Sequence, residues 1–233
     1  MNASLFLSRH PSPSLLEAVN YRKAIVREFA PFLGGKVIEV NAGRGLYTME
    51  FPKTELLLLD PEETNVLHLR TQFPEAKVHC GTVADLDPNS FWNAIVSIHT
   101  LEHLEDDRGE LSHYVQLLTN FGQKKNGYLC LFVTARPELE SSIDQRLGII
   151  RRYTKSELRE KVGNAGFNIL RMSYFNFAGY LGWWFYSRTF EDFPGRMITR
   201  CFDRLIFPPA HWLERRLCRP PLGTGLLVVA QPW

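Results

Sequence analysis

Five short apolar runs recur along the chain, at residues 36–40, 56–59, 78–80, 94–98 and 128–133, and this spacing is the feature that most limits the fold. Each stops at an asparagine, aspartate, glycine, histidine or threonine. Stretches of helical character at 46–51, 64–73 and 110–121 lie between them. A strand that is apolar along its whole length is covered on both faces. Strands joined through helices make right-handed crossovers onto a parallel sheet. The pattern predicts an α/β fold, a mostly parallel central sheet with helices on both faces, with ligands at the carboxyl ends of the strands.

The flanks are read from local signals. Pro11-Ser12-Pro13-Ser14 predicts a turn that delivers Ser14 as N-cap to a helix over 15–32, whose apolar stripe is Leu15, Val19, Ile25, Val26 and Phe29. Gly34-Gly35 ends it. Beyond Arg136 the spacing predicts a helix over 155–166, capped by Thr154 and closed by Gly166, then a strand over 167–172 and a last strand over 223–230. The intervening 174–221 is rich in Trp, Phe, Arg and Pro, and we read it as a C-terminal lid-like insertion beside the strand-end crevice. Its aromatic part, 174–190, centred on Trp183-Trp184, suits a cation or a planar substrate; a hydrophobic cover for the sheet or a contact between two copies in a homodimer suits it as well. The organisation is one domain: a helical region at 1–33, a ligand-binding core at 34–135, a substrate or lid region at 136–222 and a final strand at 223–233.

Composition narrows the partners. Of 233 residues, 27 are Lys or Arg and 25 are Asp or Glu, a balance too even for a nucleic-acid footprint or an anionic membrane. No apolar run reaches the ~18–20 residues that span a bilayer, so the chain is expected in the cytoplasm. Cys80, Cys130, Cys201 and Cys218 form no CxxC pair, which predicts reduced thiols and no metal site. Arg215, Arg216 and Arg219 read as a solvated face.

The chemistry concentrates after the first run. Glu39 precedes the Asn41-Ala42-Gly43-Arg44-Gly45 loop, where glycines let backbone N–H groups approach a ligand closely. Asp60 closes the second run, at the place where a carboxylate can accept both hydroxyls of a ribose. The same segment, with Val37-Ile38-Glu39-Val40 before it, Gly81-Thr82-Val83-Ala84-Asp85-Leu86, and Ser97-Ile98-His99-Thr100-Leu101-Glu102-His103-Leu104, resembles the class I, Rossmann-like methyltransferases that use S-adenosylmethionine (SAM). The likeness covers residues 20–135 and continues more weakly through Arg151-Arg152-Tyr153-Thr154 and Tyr174-Phe175-Asn176-Phe177.

The resemblance implies a site. Glu39, Asn41, Gly43 and Gly45 would surround the methionine part of SAM, with Tyr21 and the segment begun by His99 also on the cofactor. Asp60 would hold the ribose, and Asp85 the adenine amino group with Leu86 beside the ring; the alternative for Asp85 and Asp87 is a solvated turn. His103, an imidazole that titrates near neutrality, and Tyr153 are the candidate catalytic residues. The expected reaction is methyl transfer to a small-molecule acceptor. The chain departs from the family pattern at Asn41, where a glycine is usual, at Arg44, at Asn93 in place of an aspartate, and at Ile149-Ile150, where histidine and tyrosine are common. These departures keep open an intramolecular cyclisation of SAM that releases methylthioadenosine, and a non-catalytic binding subunit on the same fold.

Overall fold

The computed structural model describes residues 13–119, 127–216 and 220–233. Residues 11 and 12 of the expected N-terminal turn, the end of the helix expected to reach Phe121, Cys218 and Arg219 lie outside the described residues. The seven strands are β1 (Lys36–Val40), β2 (Glu55–Asp60), β3 (Lys77–Cys80), β4 (Ala94–Ile98), β5 (Tyr128–Thr134), β6 (Phe167–Phe175) and β7 (Gly225–Pro232), in the order β3-β2-β1-β4-β5-β7-β6. Pairing among β1 to β5 is parallel, and β7 runs antiparallel between β5 and β6.

Alternate residues of the central strands supply two cores, as a period of two requires. Ile38, Ile95, Leu131 and Val228 face α4 (Asp107–Leu118) and α6 (Lys155–Asn164). Val37, Val96, Phe132 and Leu227 face α2 (Val19–Phe29), whose Ile25, Val26 and Phe29 are buried. Each such side chain contributes about 1.5–3 kcal/mol by leaving water. The expected β1 and β4 boundaries coincide with the observed ones; β6 runs three residues further than expected, held by its pairing with β7.

Three helical expectations change. The span 15–32 is divided into α1 (Pro13–Glu17), α2 and a 3-10 turn over Ala30–Phe32. Ser14 lies inside α1 instead of capping it, with Pro13 at the first position, where a missing N–H does no harm. The break at Ala18 has a tertiary cause: the Asp203 carboxylate accepts the N–H groups of Asn20 at 3.0 Å and Tyr21 at 2.9 Å, capping α2 from far along the chain. After the loop at 41–45, turns and a 3-10 turn over Thr48–Glu50 stand where a helix was expected, because Pro52 closes the segment before a second turn can form. Among the described residues the domain thus has α3 (Glu63–Gln72), a short α5 (Ser142–Arg146), and a helical cap that replaces the loosely defined insertion.

That cap consists of α7 (Phe177–Thr189), α8 (Arg196–Cys201), a π-helical stretch over Phe202–Ile206, and α9 (Phe207–Arg216). Pro208 and Pro209 have no N–H to return to the preceding turn, and the backbone widens just before them. Asn176, at φ 65°, caps α7 by accepting the Gly179 N–H at 2.9 Å. Among the described residues no helix is long and apolar enough to cross a membrane.

Candidate functional site

The order β2-β1-β4 reverses the direction of crossover between β1 and β4, and a cavity of about 460 Å³ opens at the carboxyl ends of those strands. The loop after β1 forms one wall. Asn41 and Gly43 both hold left-handed backbone, at φ 54° and 57°, so asparagine keeps the conformation that the usual glycine would adopt. Gly45 is left-handed as well, at φ 71°, and a Cβ there would also meet the Phe73 ring at 2.3 Å. Glu39, 3% exposed, reaches the cavity and accepts a hydrogen bond from the Thr48 hydroxyl. Burial pushes its carboxyl up to about 8, against the lowering effect of Thr48.

A second wall comes from the turn after β4. His99, at φ 53°, places Nδ1 2.9 Å from Oε1 of Glu102, which also accepts the Thr134 N–H at 2.9 Å. Glu102 is fully buried. Burial would raise its carboxyl, but the His99 hydrogen bond and the nearby imidazoles hold it below the usual carboxylate range. His103 donates from Nδ1 to the Gly148 carbonyl at 2.8 Å, which leaves Nε2 as the bare nitrogen. Burial lowers its basicity below that of free imidazole.

Tyr47 and Thr134 complete this end. Both line the cavity, and neither hydroxyl has a hydrogen-bond partner among the described residues. A buried hydroxyl without a partner costs about 1–3 kcal/mol, so the pair suits polar groups brought by a ligand. Tyr21 stands opposite, its ring edge-on to Phe132, Phe175 and Phe207, and burial pushes its phenol well up. The far wall carries a closed ion pair: Arg152 donates to Asp144 at 2.8 and 2.6 Å, with the Trp183 ring 5.8 Å from the guanidinium. Tyr186, Phe193, Ile198 and Phe202 bring the inner side of the cap to the same space.

No protein-family model and no curated protein sequence matches the chain. Solved structures do. A SAM-dependent methyltransferase from Thermotoga maritima, described as a possible histamine N-methyltransferase, superposes at a TM-score of 0.64 and 14% identity over 98% of this chain and 99% of that one. A SAM-dependent methyltransferase from Clostridium acetobutylicum superposes at 0.58 and 10% identity over 91% of each. The chain has the class I methyltransferase fold. The same fold accommodates other chemistry, since the 4+2 cyclase SpnF superposes at 0.57 and 14% identity over 91% of this chain and 80% of that one.

Within this methyltransferase fold the cavity brings together Tyr21, Glu39, Asn41, Gly43, His99 and His103. It leaves Gly45, Asp60, Asp85, Leu86 and Tyr153 out of its lining. Asp60, 1% exposed, accepts the N–H of Gly43 at 2.7 Å, that of Glu62 at 3.0 Å and the Asn65 amide at 3.0 Å. Three of the four acceptor positions of its carboxylate are therefore occupied, and it cannot take both ribose hydroxyls as expected without giving up a bond. Asp85 is exposed and accepts the Thr82 N–H at 2.7 Å in a capping box, while Leu86 packs on the core. Tyr153 is buried outside that lining, and its hydroxyl donates to Asp107 at 2.7 Å, beside the Lys161 ammonium, which ties this segment to the start of α4. Only Ile149 of the isoleucine pair lines the cavity; Ile150 points outward and its N–H bonds the Glu102 carbonyl.

Sequence reasoning did not single out Tyr47, Thr134 or Asp144. Tyr47 lay in a span expected to be helical, and Thr134 closed a strand read for its apolar residues. The serine-to-aspartate spacing at Ser141 and Asp144, a capping-box signature, was the one available signal for α5.

Proposed function

We propose that the chain binds SAM and transfers its methyl group to a small-molecule acceptor. The observation that carries this reading is the meeting of Glu39, the left-handed Asn41 and Gly43, and the unpartnered Tyr47 and Thr134 hydroxyls in one cavity at the β1/β4 switch point. That set fits the amino-acid half of the cofactor: a carboxyl for the ammonium and hydroxyls for the carboxylate. For the adenosine half, Asp60 acts through the loop it holds by its bond to the Gly43 N–H. SAM supplies an already activated methyl group, so the residues need only align the acceptor and receive its proton. His103 Nε2, bare and facing the cavity, is the group that would receive it, and the Arg152–Asp144 pair with Trp183 bounds the acceptor space. Incubation with SAM and candidate acceptors, read by mass spectrometry, should give S-adenosylhomocysteine only when an acceptor is present.

A second reading has its own support. Ile149 presents an apolar side chain to the cavity where relatives often carry a polar one. Intramolecular closure needs no second substrate, because nucleophile and electrophile reside in one bound molecule. Enzyme-dependent methylthioadenosine from SAM alone, against a no-enzyme control, would replace methyl transfer with cyclisation.

A further inference from the structure

The helical cap has two faces of opposite character. Its inner side lines the cavity. Its outer side is exposed and apolar: the adjacent Trp184 and Phe185 lie one turn beyond Leu181 on α7, and Phe185 is 66% exposed. Along the continuous helical run of α8, the π-helical stretch and α9, Met197 is 79% exposed, Leu205 71% and Trp212 56%. Apolar exposure on this scale, gathered in one segment, marks a contact surface.

Charge on the cap is sorted in the same way. Residues 177–216 contain six arginines and no lysine. All six are exposed; Arg196 and Arg200 pair with Glu17 and Arg215 with Glu28, so among the described residues Arg188, Arg204 and Arg216 are the cations left to the outer face. Two of the four carboxylates of the segment turn inward as helix caps, Asp203 on α2 and Glu214 on the Phe177 N–H at 2.7 Å. The other two, Glu191 and Asp192, pair with Arg146. Arg188 lies 4.1 Å over the Trp184 ring and Arg216 5.1 Å over Trp212. Exposed tryptophan under arginine, with apolar side chains beside it, suits the boundary between acyl chains and anionic headgroups. The near-zero charge of the whole chain conceals this separation.

We propose that the outer face of the cap docks on an anionic lipid surface. Ile198 is 57% exposed and also lines the cavity, so the cavity mouth opens within the docking face. An acceptor drawn from the bilayer would enter there; this last consequence rests on the transferase reading, whereas docking does not. Sedimentation with vesicles tests it. The protein should bind phosphatidylglycerol-containing vesicles at least ten-fold better than pure phosphatidylcholine, and release in high salt. Arg204→Gln with Arg216→Gln should weaken partitioning by roughly thirty-fold, five-fold or so for each arginine. Met197→Ser with Leu205→Ser should weaken it by more than ten-fold. Both variants should melt as the parent does and keep its SAM affinity, since none of the four residues lines the cavity. Absence of vesicle binding, or equal binding to both lipids, overturns the proposal. So does a dimer that the serine substitutions dissociate without any vesicle binding, because a second copy would then be the occupant.

Discussion

Asp60 Oδ2 accepts the backbone N–H of Gly43 at 2.7 Å, tying the end of β2 to the loop that follows β1. The other oxygen holds Glu62 and Asn65. Asp60→Ala would leave these buried donors unanswered, and it should lower stability by about 2–4 kcal/mol even without ligand. Urea denaturation measures that loss, and calorimetry should give weaker SAM binding in the same variant. Parent-like stability would mean that the loop does not depend on this carboxylate.

Glu39 should make the fold sensitive to alkaline pH. Its carboxyl titrates near 8 in the folded chain, raised by burial from an ordinary 4.5. Below 4.5 both states hold the proton; between 4.5 and about 8 only the folded state does. The unfolded state therefore gains by ionising, and stability falls as pH rises through this window, by on the order of 5 kcal/mol in all. Glu39→Gln should flatten the profile and melt higher than the parent at pH 8.5, as scanning calorimetry would reveal. In the proposed reading the ligand's ammonium ionises Glu39, so SAM binding at pH 7 should release protons, seen as a buffer-dependent enthalpy that the glutamine variant lacks.

His103 lines the cavity with Nε2 bare, because Nδ1 is committed to Gly148. His103→Gln should lower kcat by roughly 10²–10⁴-fold if this nitrogen receives the acceptor proton, with SAM affinity unchanged. The parent's acid limb should fall below the usual histidine range, since burial lowers this imidazole, and it should vanish in the variant. An unaltered pH profile would reduce His103 to packing.

Arg152 and Asp144 are both buried and joined by two hydrogen bonds. Replacing either one by alanine leaves the other charge buried alone, at about 3–5 kcal/mol. The double replacement should lose much less than the sum, because neither charge remains. A double-mutant cycle in urea gives the coupling directly.

What the sequence determined was the sheet and the loop on which the site is built. Apolar runs at 36–40 and 94–98 became β1 and β4 without change, because burial on both faces leaves no alternative for a short β-branched run. Glu39, Asn41 and Gly43 were legible as an acidic strand end running into a glycine loop, and His99 through the resemblance to the methyltransferases. The tertiary structure decided which of the expected residues face the cavity. Asp60 is turned to the Gly43 N–H, 17 residues back, and Tyr153 to Asp107, 46 residues back; both choices depend on partners distant in the chain. The same holds for the break at Ala18, imposed by Asp203, and for a cap in which Asp203 and Glu214 turn inward while Arg188, Arg204 and Arg216 stay on the outside. A sequence lists charges in order, but only packing assigns each to a face.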